Sequence, residues 1–380
     1  MIKLPCNNDY FLPREFKTRR RIKNLFSPAG RILVSMPARF DFIGGWTDTP
    51  PYPYEEKSAV LNSTMALSTS AEITNVPPAI TVEVSEGNAN FIQNNLPVKR
   101  GEHLVIDKVL EYLCLDEPKF NLRVENSIPK GSGLGGSSLL GAAILSACLG
   151  YYEGAEEVTQ NLKEIINGVL TVEQLMGSGG GWQDQIGGIL PGLKLITTHP
   201  TKAGSYQIKY ADNPEIISQL NNCSIVIDSK IQRKASFILH SIRRKIIEKD
   251  PSTLRVIKQI KNNAEIGFES INKGNLTEFS HLLSDSWDLV NSIESNSRIE
   301  IVDVIEKICG KDLIGRKIGG AGGGGFALVI FADQEKKKYY FKRLKERLPD
   351  CLIYYPFFGV NGASFFQNGK SIVIPKIEKL

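Results

Sequence analysis

The sequence predicts an α+β protein with two parts that meet near residue 210. At 380 residues the chain is too long for one small core, and it suits two fused domains or one large α/β domain. Helical and strand patterns alternate without a βαβ unit of fixed period, which favours the α+β class. Glycine-rich segments stand beside regular elements in both halves, as loops do when a rigid scaffold holds them around a site.

We divide the chain into a basic N-terminal arm at residues 1–29, an N-terminal domain at 30–210 and a C-terminal domain at 211–380. The boundary falls where the hydrophobic pattern weakens, over 206–222, and where Asn213-Pro214 favours a turn. The arm precedes any periodic segment, and a solvated tail or short helix is its favoured interpretation. Its basic residues are Arg14, Lys17, Arg19, Arg20, Arg21 and Lys23.

The composition is that of an ordinary globular protein, with 42% hydrophobic and 23% charged residues and a net charge of +5. The basic arm lacks interleaved aromatic residues and a reading-head motif, so we expect no nucleic-acid partner. The N-terminus has no apolar signal region and the longest apolar run, 139–149, is too short for a bilayer. We therefore expect no membrane association and a cytoplasmic location. The six cysteines show no CxxC spacing, so a structural metal is not expected.

In the first half, aliphatic runs and apolar–polar alternation predict strands, and apolar spacings of three and four predict helices. The first strand, at 31–36, is expected to end at Pro37. Further strands are predicted at 60–70, 79–85, 120–124 and 193–197. Helices are predicted at 104–115, from Gly136 through an apolar run without proline, and at 158–175.

In the second half, the same rules predict one strand, four helices, a strand after a further glycine-rich segment, and a last helix with three short strands. The first strand is at 224–228, and the four helices are at 234–249, 253–273, 276–291 and 298–309. The strand after the glycine-rich segment is at 326–331. The last helix is at 334–348, and the three short strands are at 352–355, 363–367 and 371–374.

The segment Ile128–Ala143 (IPKGSGLGGSSLLGAA) predicts an anion site. Its glycines lead into a buried helix, whose first N–H groups lack partners and whose dipole is positive at that end. A polyphosphate is the expected guest. The segment is neither a Walker A loop nor a dinucleotide fingerprint. A glycine-rich turn that caps a core helix is the alternative interpretation.

Two carboxylates follow in a third glycine-rich region. Glu173 lies near the end of a predicted helix and Asp184 lies in the glycine-rich loop after it. Nucleotide-bound Mg²⁺ usually takes one or two protein oxygens, so one carboxylate and a serine hydroxyl would suit it. The other carboxylate could accept the proton of an attacking hydroxyl. Alternatively, Glu173 is a solvated helix residue and Asp184 a turn former.

An earlier segment, PARFDFIGGWTDTPPY, has the residue types of a sugar site. Asp48 could accept hydrogen bonds from sugar hydroxyls, and Trp46 could cover an apolar sugar face. Arg39 could pair with Asp184 or with phosphates, because its planar fork fits both. For Asp41, the alternative interpretation is a structural residue of the alternating run.

Together, PARFDFIGGWTDT, IPKGSGLGGSSLLGAA and KIGGAGGGGFAL resemble the three motifs of the GHMP small-molecule kinases, in the right order. GGWTDTPPY and VEQLMGSGGGWQDQIGGILPGLKL are similar to the L-fucose kinase branch, including the kinase half of bifunctional fucokinase/GDP-fucose pyrophosphorylases. The resemblance covers roughly 32–366. It implies an N-terminal domain like ribosomal protein S5 domain 2, a ferredoxin-like C-terminal domain, and ATP and Mg²⁺ as cofactors.

The resemblance also implies residue roles. Asp184 and Arg39 match catalytic positions, and Ser137 and Glu173 match the Mg²⁺ ligands. Residues implied to bind ATP are Lys130, Gly131, Ser132, Gly133, Leu134, Gly135, Gly136, Ser137 and Ser138. Residues implied to bind the sugar are Trp46, Thr47, Asp48, Gly181, Trp182, Gly322 and Gly323.

Two departures from the family pattern affect this assignment. Gly136 stands where many relatives have a serine, and Ser138 is its nearest substitute. In Glu55–Asn62 (EEKSAVLN), related sugar kinases usually have Gly-Gly before AVLN.

The implied activity is transfer of the ATP γ-phosphate to the anomeric hydroxyl of a hexose, with L-fucose as the favoured small-molecule substrate. A heptose 7-phosphate 1-kinase is the alternative, and it would need a further basic cluster such as Arg233 and Lys234. A catalytically silent sugar sensor is a third possibility, against which stands the retention of Glu173, Asp184 and Ser137. Any second activity is expected on another chain.

Overall fold

The computed structural model describes residues 2–3, 11–12, 19–22, 30–75, 79–86, 89–93, 103–116, 120–202, 204–231 and 235–380. Most of the predicted arm lies outside the described residues, as do Arg233 and Lys234, which were considered for a second basic cluster.

The described strands form three sheets. They are β1 (Ile2–Lys3), β2 (Phe11–Leu12), β3 (Arg31–Ile43), β4 (Ser58–Thr74), β5 (Ala79–Glu86), β6 (Ala89–Gln93), β7 (Asn121–Asn126), β8 (Leu193–Thr198), β9 (Tyr206–Tyr210), β10 (Ser224–Asp228), β11 (Leu313–Ile318), β12 (Phe326–Phe331), β13 (Leu352–Tyr354), β14 (Ser364–Gln367) and β15 (Lys370–Val373).

The helices flank the two larger sheets. They are α1 (Tyr52–Glu55), α2 (Leu104–Tyr112), α3 (Gly136–Glu153), α4 (Ala155–Gln160), α5 (Leu162–Met176), α6 (Gln183–Ile189), α7 (Pro214–Cys223), α8 (Ala235–Ile247), α9 (Pro251–Asn272), α10 (Leu276–Ile293), α11 (Glu300–Cys309) and α12 (Gln334–Arg347). Within the part of the chain that the structure describes, no helix combines the length and apolar character needed to cross a bilayer.

The largest sheet has the strand order β15-β14-β3-β4-β7-β5-β6, with β8 and β9 attached beside β4. On the edge away from β3, the long strand β4 pairs with two strands: its first six residues pair with β8 and its last six with β7. The second large sheet is antiparallel, in the order β11-β12-β10-β13, with α11 and α12 on one face and α10 beside β11. This mixture of elements confirms the predicted α+β class.

The first strand continues past its expected end. β3 runs through Pro37 to Ile43, and its register with β4 shifts between Pro37 and Ala38. A bulge can accommodate proline because the irregular ladder leaves one N–H out of the pairing. The correction matters for function, since the extension carries Arg39 and Asp41.

The predicted boundary at residues 206–222 contains regular structure instead of a linker. β9 occupies its start, and α7 follows with Pro214 in its first turn. Asn213 caps α7 by accepting hydrogen bonds from the N–H groups of Glu215 (3.1 Å) and Ile216 (3.3 Å). The division of the chain at residue 210 stays a prediction, and β14 crosses it by pairing with β3.

Part of the basic arm packs against the rest of the protein. The Arg20 guanidinium donates to Glu153 (2.7 and 3.0 Å) and to Glu164, and its main-chain N–H donates to the carbonyl of Tyr112 (2.7 Å). Ile22 is buried. The expectation of a solvated tail is therefore wrong for the segment around Arg20, because two acidic residues on α3 and α5 neutralise Arg20.

The core that supports the site is built around α3. This helix is buried along almost its whole length and packs on β3 and β4. Its hydrophobic cluster continues into the second sheet, where Phe42 of β3 meets Phe279 of α10 edge to face, with ring centroids 5.4 Å apart. The start of α3 is consequently held by both parts of the molecule.

Candidate functional site

The glycine-rich loop ends in an open helix N-terminus, as predicted. α3 begins at Gly136, and the preceding Gly135 adopts a left-handed conformation with φ +80°. No side chain caps the helix, and its first internal bond runs from the N–H of Leu139 to the carbonyl of Gly135 (2.9 Å). The N–H groups of the first turn are therefore available to an anion.

The loop is held from behind by the glycine-rich segment at 319–325. A Cβ on Gly133 would lie 2.4 Å from the carbonyl oxygen of Gly319, and the N–H of Phe326 donates to the carbonyl of Ser132 (3.0 Å). The main chain of the loop therefore packs directly on the main chain of the 319–325 segment. Glycine is required at Gly133 for a second reason, since its φ is +75°.

Glu173 lies in the last turn and a half of α5 and points inward. Its carboxylate accepts hydrogen bonds from the hydroxyl of Ser138 and from Nε2 of Gln185 (2.6 Å). Burial, together with the negative charge of Asp184, raises the pKa of Glu173 to about 8. The interpretation of Glu173 as a solvated helix residue is therefore wrong.

Asp184 lies in the first turn of α6, not in a loop. The glycines of this segment predict a loop in the sequence, but in the structure they allow the helix to approach the sheet. A Cβ on Gly188 would lie 2.7 Å from the carbonyl oxygen of Pro37. Arg39 donates to Asp184 through both Nε (3.1 Å) and Nη2. Its Nη1 donates to the carbonyl of Gly133 (2.7 Å), so one buried guanidinium joins the carboxylate to the loop.

The serine that meets the carboxylates is Ser138. Its hydroxyl donates to Glu173 and lies 3.1 Å from Oδ2 of Asp184, whereas Ser137 is exposed at the start of α3. Ser137 remains beside the cavity, but the hydroxyl at the centre of the cluster belongs to the residue considered only as a substitute.

This donor set fits Mg²⁺. Ser138, Glu173 and Asp184 present hard oxygen atoms at the helix N-terminus, and a divalent cation would relieve the repulsion between the two carboxylates. No group of three or more His, Cys, Asp or Glu side chains that could hold a metal is found in the described part of the chain. Two carboxylates suffice for an ion that takes its other ligands from water and phosphate.

A cavity of about 320 Å³ joins these groups to the earlier glycine segment. Trp46 and Thr49 line one side, and Ala321 and Leu239 close another. Asp48 lies behind this wall: it is fully buried, accepts from the N–H of Gln183 (3.1 Å), and has no hydrogen-bond partner for Oδ1 among the described residues. Asp48 does not line the cavity, so contact of its Oδ1 with a sugar hydroxyl stays a prediction.

The remaining predicted substrate residues are spread around this cavity. Gly181 lines it, and Thr47 lies in the turn beneath, where its hydroxyl donates to the carbonyl of Gly44 (2.7 Å). Trp182 does not line it, because its ring packs edge to face on Tyr206. Gly322 and Gly323 pack near Ser297, and of the neighbouring segment only 320–321 lines the cavity.

The predicted ATP-binding residues divide between two spaces. Gly133, Gly135, Gly136, Ser137 and Ser138 line the main cavity. A smaller recess nearby is lined instead by Lys130, Gly131 and Ser132. The side chain of Leu134 is buried in the core.

Sequence reasoning missed Gln185, which hydrogen-bonds Glu173, and Leu239, which reaches the cavity from α8. The repeated Gln in WQDQ next to Asp184 was a usable signal for the first. Leu239 gave no signal, because it belongs to an ordinary helical apolar pattern.

We expect the Asp48→Asn variant to be more stable than the wild type by an amount that grows with pH. Burial raises the pKa of Asp48 from 3.8 to about 7. The folded protein therefore keeps a proton that the unfolded chain has lost between these pH values, and wild-type stability falls as pH rises, by up to about 1.4 kcal/mol per pH unit. Urea unfolding of both proteins from pH 5 to 8 measures this. A stability difference that does not change with pH would contradict the prediction.

Gly181→Ala should damage the site while Gly180→Ala should not. A Cβ on Gly181 would lie 2.2 Å from Oδ2 and 2.3 Å from the main-chain oxygen of Asp48, whereas the nearest atom to one on Gly180 is Oε2 of Glu173 at 3.9 Å. Overpacking of this kind costs about 1–3 kcal/mol. Thermal melting and kcat/KM compare the adjacent variants, and equal behaviour would show that the contact is unimportant.

Similarity to known proteins extends over most of the chain. Residues 95–192 match the family described as GHMP kinases N terminal domain. The chain is 31% identical over 315 residues to the bifunctional fucokinase/GDP-fucose pyrophosphorylase of Arabidopsis thaliana, an alignment that covers 78% of this chain and 29% of that protein. It is 28% identical to the L-fucokinase/L-fucose-1-P guanylyltransferase of Bacteroides fragilis, with 75% and 33% covered.

The chain thus spans about a third of the length of these curated relatives. Among solved structures, a D-glycero-D-manno-heptose 1-phosphate kinase from Bacteroides thetaiotaomicron has a TM-score of 0.64 and 19% identity, with 88% of this chain and 98% of that chain covered. At that identity the likeness shows a shared fold.

Proposed function

Because the chain belongs to the GHMP kinases, which are phosphotransferases with an alcohol group as acceptor, we propose that it is an ATP-dependent sugar 1-kinase with L-fucose as substrate. The observation that carries this proposal is the convergence of Ser138, Glu173, Asp184 and Arg39 on one cavity at the open N-terminus of α3. The similarity to two relatives named as fucokinases supports the choice of sugar.

The phosphates of ATP would be bound by the first N–H groups of α3 and by the glycine loop before it. Ser138 and Glu173 would hold Mg²⁺, which neutralises phosphate charge when bound. The exposed Ser137 hydroxyl would contact the nucleotide. Since phosphoryl transfer needs little covalent help from the protein, positioning and charge are the main contributions of these groups.

Asp184 is assigned to the sugar hydroxyl. It would orient the anomeric oxygen and accept its proton as the bond from that oxygen to the γ-phosphorus forms and the bond from the γ-phosphorus to the bridging oxygen of ADP breaks. Arg39 fixes the direction of the Asp184 carboxylate through its two hydrogen bonds. Asp48, with its unpaired buried oxygen, and the indole of Trp46 would bind the remainder of the sugar.

An ADP-release assay over a panel of sugars tests the proposal. The panel contains L-fucose, D-galactose, D-mannose and D-glycero-D-manno-heptose 7-phosphate, and ³¹P NMR identifies the phosphorylated carbon. Turnover of L-fucose to the 1-phosphate is expected. Turnover of the heptose 7-phosphate alone would overturn L-fucose in favour of the alternative acceptor. Sugar binding without turnover of any member would overturn the kinase activity and favour a sensor.

A further inference from the structure

A buried lysine lies beneath α6, outside the mechanism described above. Lys194 of β8 is fully buried, and its ammonium donates to the main-chain carbonyls of Gly187 (2.8 Å) and Gly192 (3.1 Å). Burial lowers the pKa of Lys194 to about 7. Removing an ammonium from water is costly, and here the cost is offset by two carbonyl acceptors and the charge of Asp41.

The carbonyl of Gly187 belongs to the C-terminal half of α6, where helix carbonyls lack internal partners and a cation is favourable. The N-terminal half of the same helix is held by Arg39 on Asp184 and by Asp48 on the N–H of Gln183. α6 has seven residues, so it spans only about 10 Å. Lys194 therefore binds the C-terminal end of a short helix whose N-terminal end carries the Asp184 carboxylate.

Lys194 shares this end of α6 with other contacts, since the N–H of Ala363 donates to the carbonyl of Ile189 (2.9 Å). A Cβ on Gly187 would lie 2.7 Å from Nδ2 of Asn62, so the helix backbone rests directly on the sheet. Lys194 stands opposite Asn62 in the β4–β8 register, and Asn62 stands opposite Asp41 in the β3–β4 register. Directly opposite residues share a face of the sheet, so these three form one polar row across three strands.

We propose that Lys194 is a positioning residue, which fixes the direction of Asp184 by holding the Gly187 carbonyl of α6. Gly187 is three residues after Asp184, about one helical turn away, so a shift of this turn moves the carboxylate. A displacement of about 1 Å at a reacting group can reduce the rate about 10²-fold. The effect on rate rests on the proposed function, because it requires Asp184 to face the sugar hydroxyl.

Lys194→Met is the test, because methionine has similar length and no donor. We expect kcat to fall about 10- to 100-fold, with KM for the sugar and Kd for ATP little changed. Lys317→Met is the matched control. Lys317 is also buried and donates to two carbonyls, those of Asp41 (2.7 Å) and Phe42 (2.8 Å), but it does not bind α6. Lys317→Met should lower the free energy of unfolding by a comparable amount, and it should lower kcat per active site much less.

Hydrogen exchange of residues 183–189 gives a readout that does not depend on turnover. Faster exchange there in Lys194→Met than in Lys317→Met supports the inference, and equal exchange overturns it. If the wild type turns over no sugar, the proposed function fails while the exchange result still decides whether Lys194 holds α6. If Lys194→Met does not fold, Lys194→Gln keeps a shorter donor and should show an intermediate loss of kcat. Wild-type kcat in a folded Lys194 variant would overturn the positioning role.

Discussion

Asp184→Asn should turn over sugar at least ~100-fold more slowly than the wild type while it binds ATP almost as well. The amide keeps the shape of the side chain and can still accept a hydrogen bond from Arg39, but it cannot take the proton of the sugar hydroxyl. In the proposed function, ATP is bound by the N-terminus of α3 and its glycine loop and not by Asp184. Steady-state kinetics give kcat, and calorimetry gives Kd for ATP.

The control for this variant is Asp212→Asn. The Asp212 side chain is 88% exposed and pairs with Lys376 at 3.3 Å, so the substitution should leave both quantities unchanged. Near-wild-type turnover in Asp184→Asn would remove Asp184 from the mechanism and would leave the role of proton acceptor to another group.

Arg39→Met should lose both activity and folding stability. Arg39 is 2% exposed and bridges Asp184, the carbonyl of Gly133 and Asp41, whose Oδ2 lies 3.0 Å from its Nε. Without the guanidinium, the buried Asp41 and the partly buried Asp184 lose the cation that both of them contact. Removal of one member of such a buried pair typically costs about 3–5 kcal/mol. kcat should fall as well, because Asp184 and the glycine loop lose their common partner.

The same strand supplies the control for Arg39. The side chain of Arg31 on β3 is 57% exposed and pairs with Glu72, so Arg31→Met should cost no more than about 1 kcal/mol. Urea unfolding compares the two variants, and Arg39→Lys shows whether charge alone suffices, since an ammonium cannot reproduce the fork. If Arg39→Met is no more destabilising than Arg31→Met, the buried bridge does not contribute to stability.

Local patterns in the sequence were sufficient for much of the scaffold. The strands at 224–228 and 326–331 have the predicted bounds, and α3 begins at the predicted residue, Gly136. These elements have continuous apolar runs bordered by glycine or polar residues, so neighbours in sequence determine them. The elements missed outside the arm are short, with ten residues or fewer, so each offers little periodicity to read. They are β6, β9, β11, α1, α6 and α7.

α6 shows why the site itself was harder to predict. Its GG pair reads as a loop in sequence, but those glycines are what allow the helix to lie against Pro37 and Asn62. Likewise, the pattern could not choose between Ser137 and Ser138. Successive residues point about 100° apart around a helix, so only the packing of α3 on the sheet decides which hydroxyl meets Glu173.

The sequence by itself determined the glycine loop that leads into α3, the α+β class and the identity of the acidic and basic groups, because each depends on residue type and local spacing. The tertiary structure alone decided which groups meet. It brought Arg39 to Asp184 across 145 residues, turned Trp182 toward Tyr206, placed Arg20 between two glutamates and set Lys194 under α6. Those contacts arise from the register of β3, β4 and β8 and from close glycine packing, which no local pattern encodes.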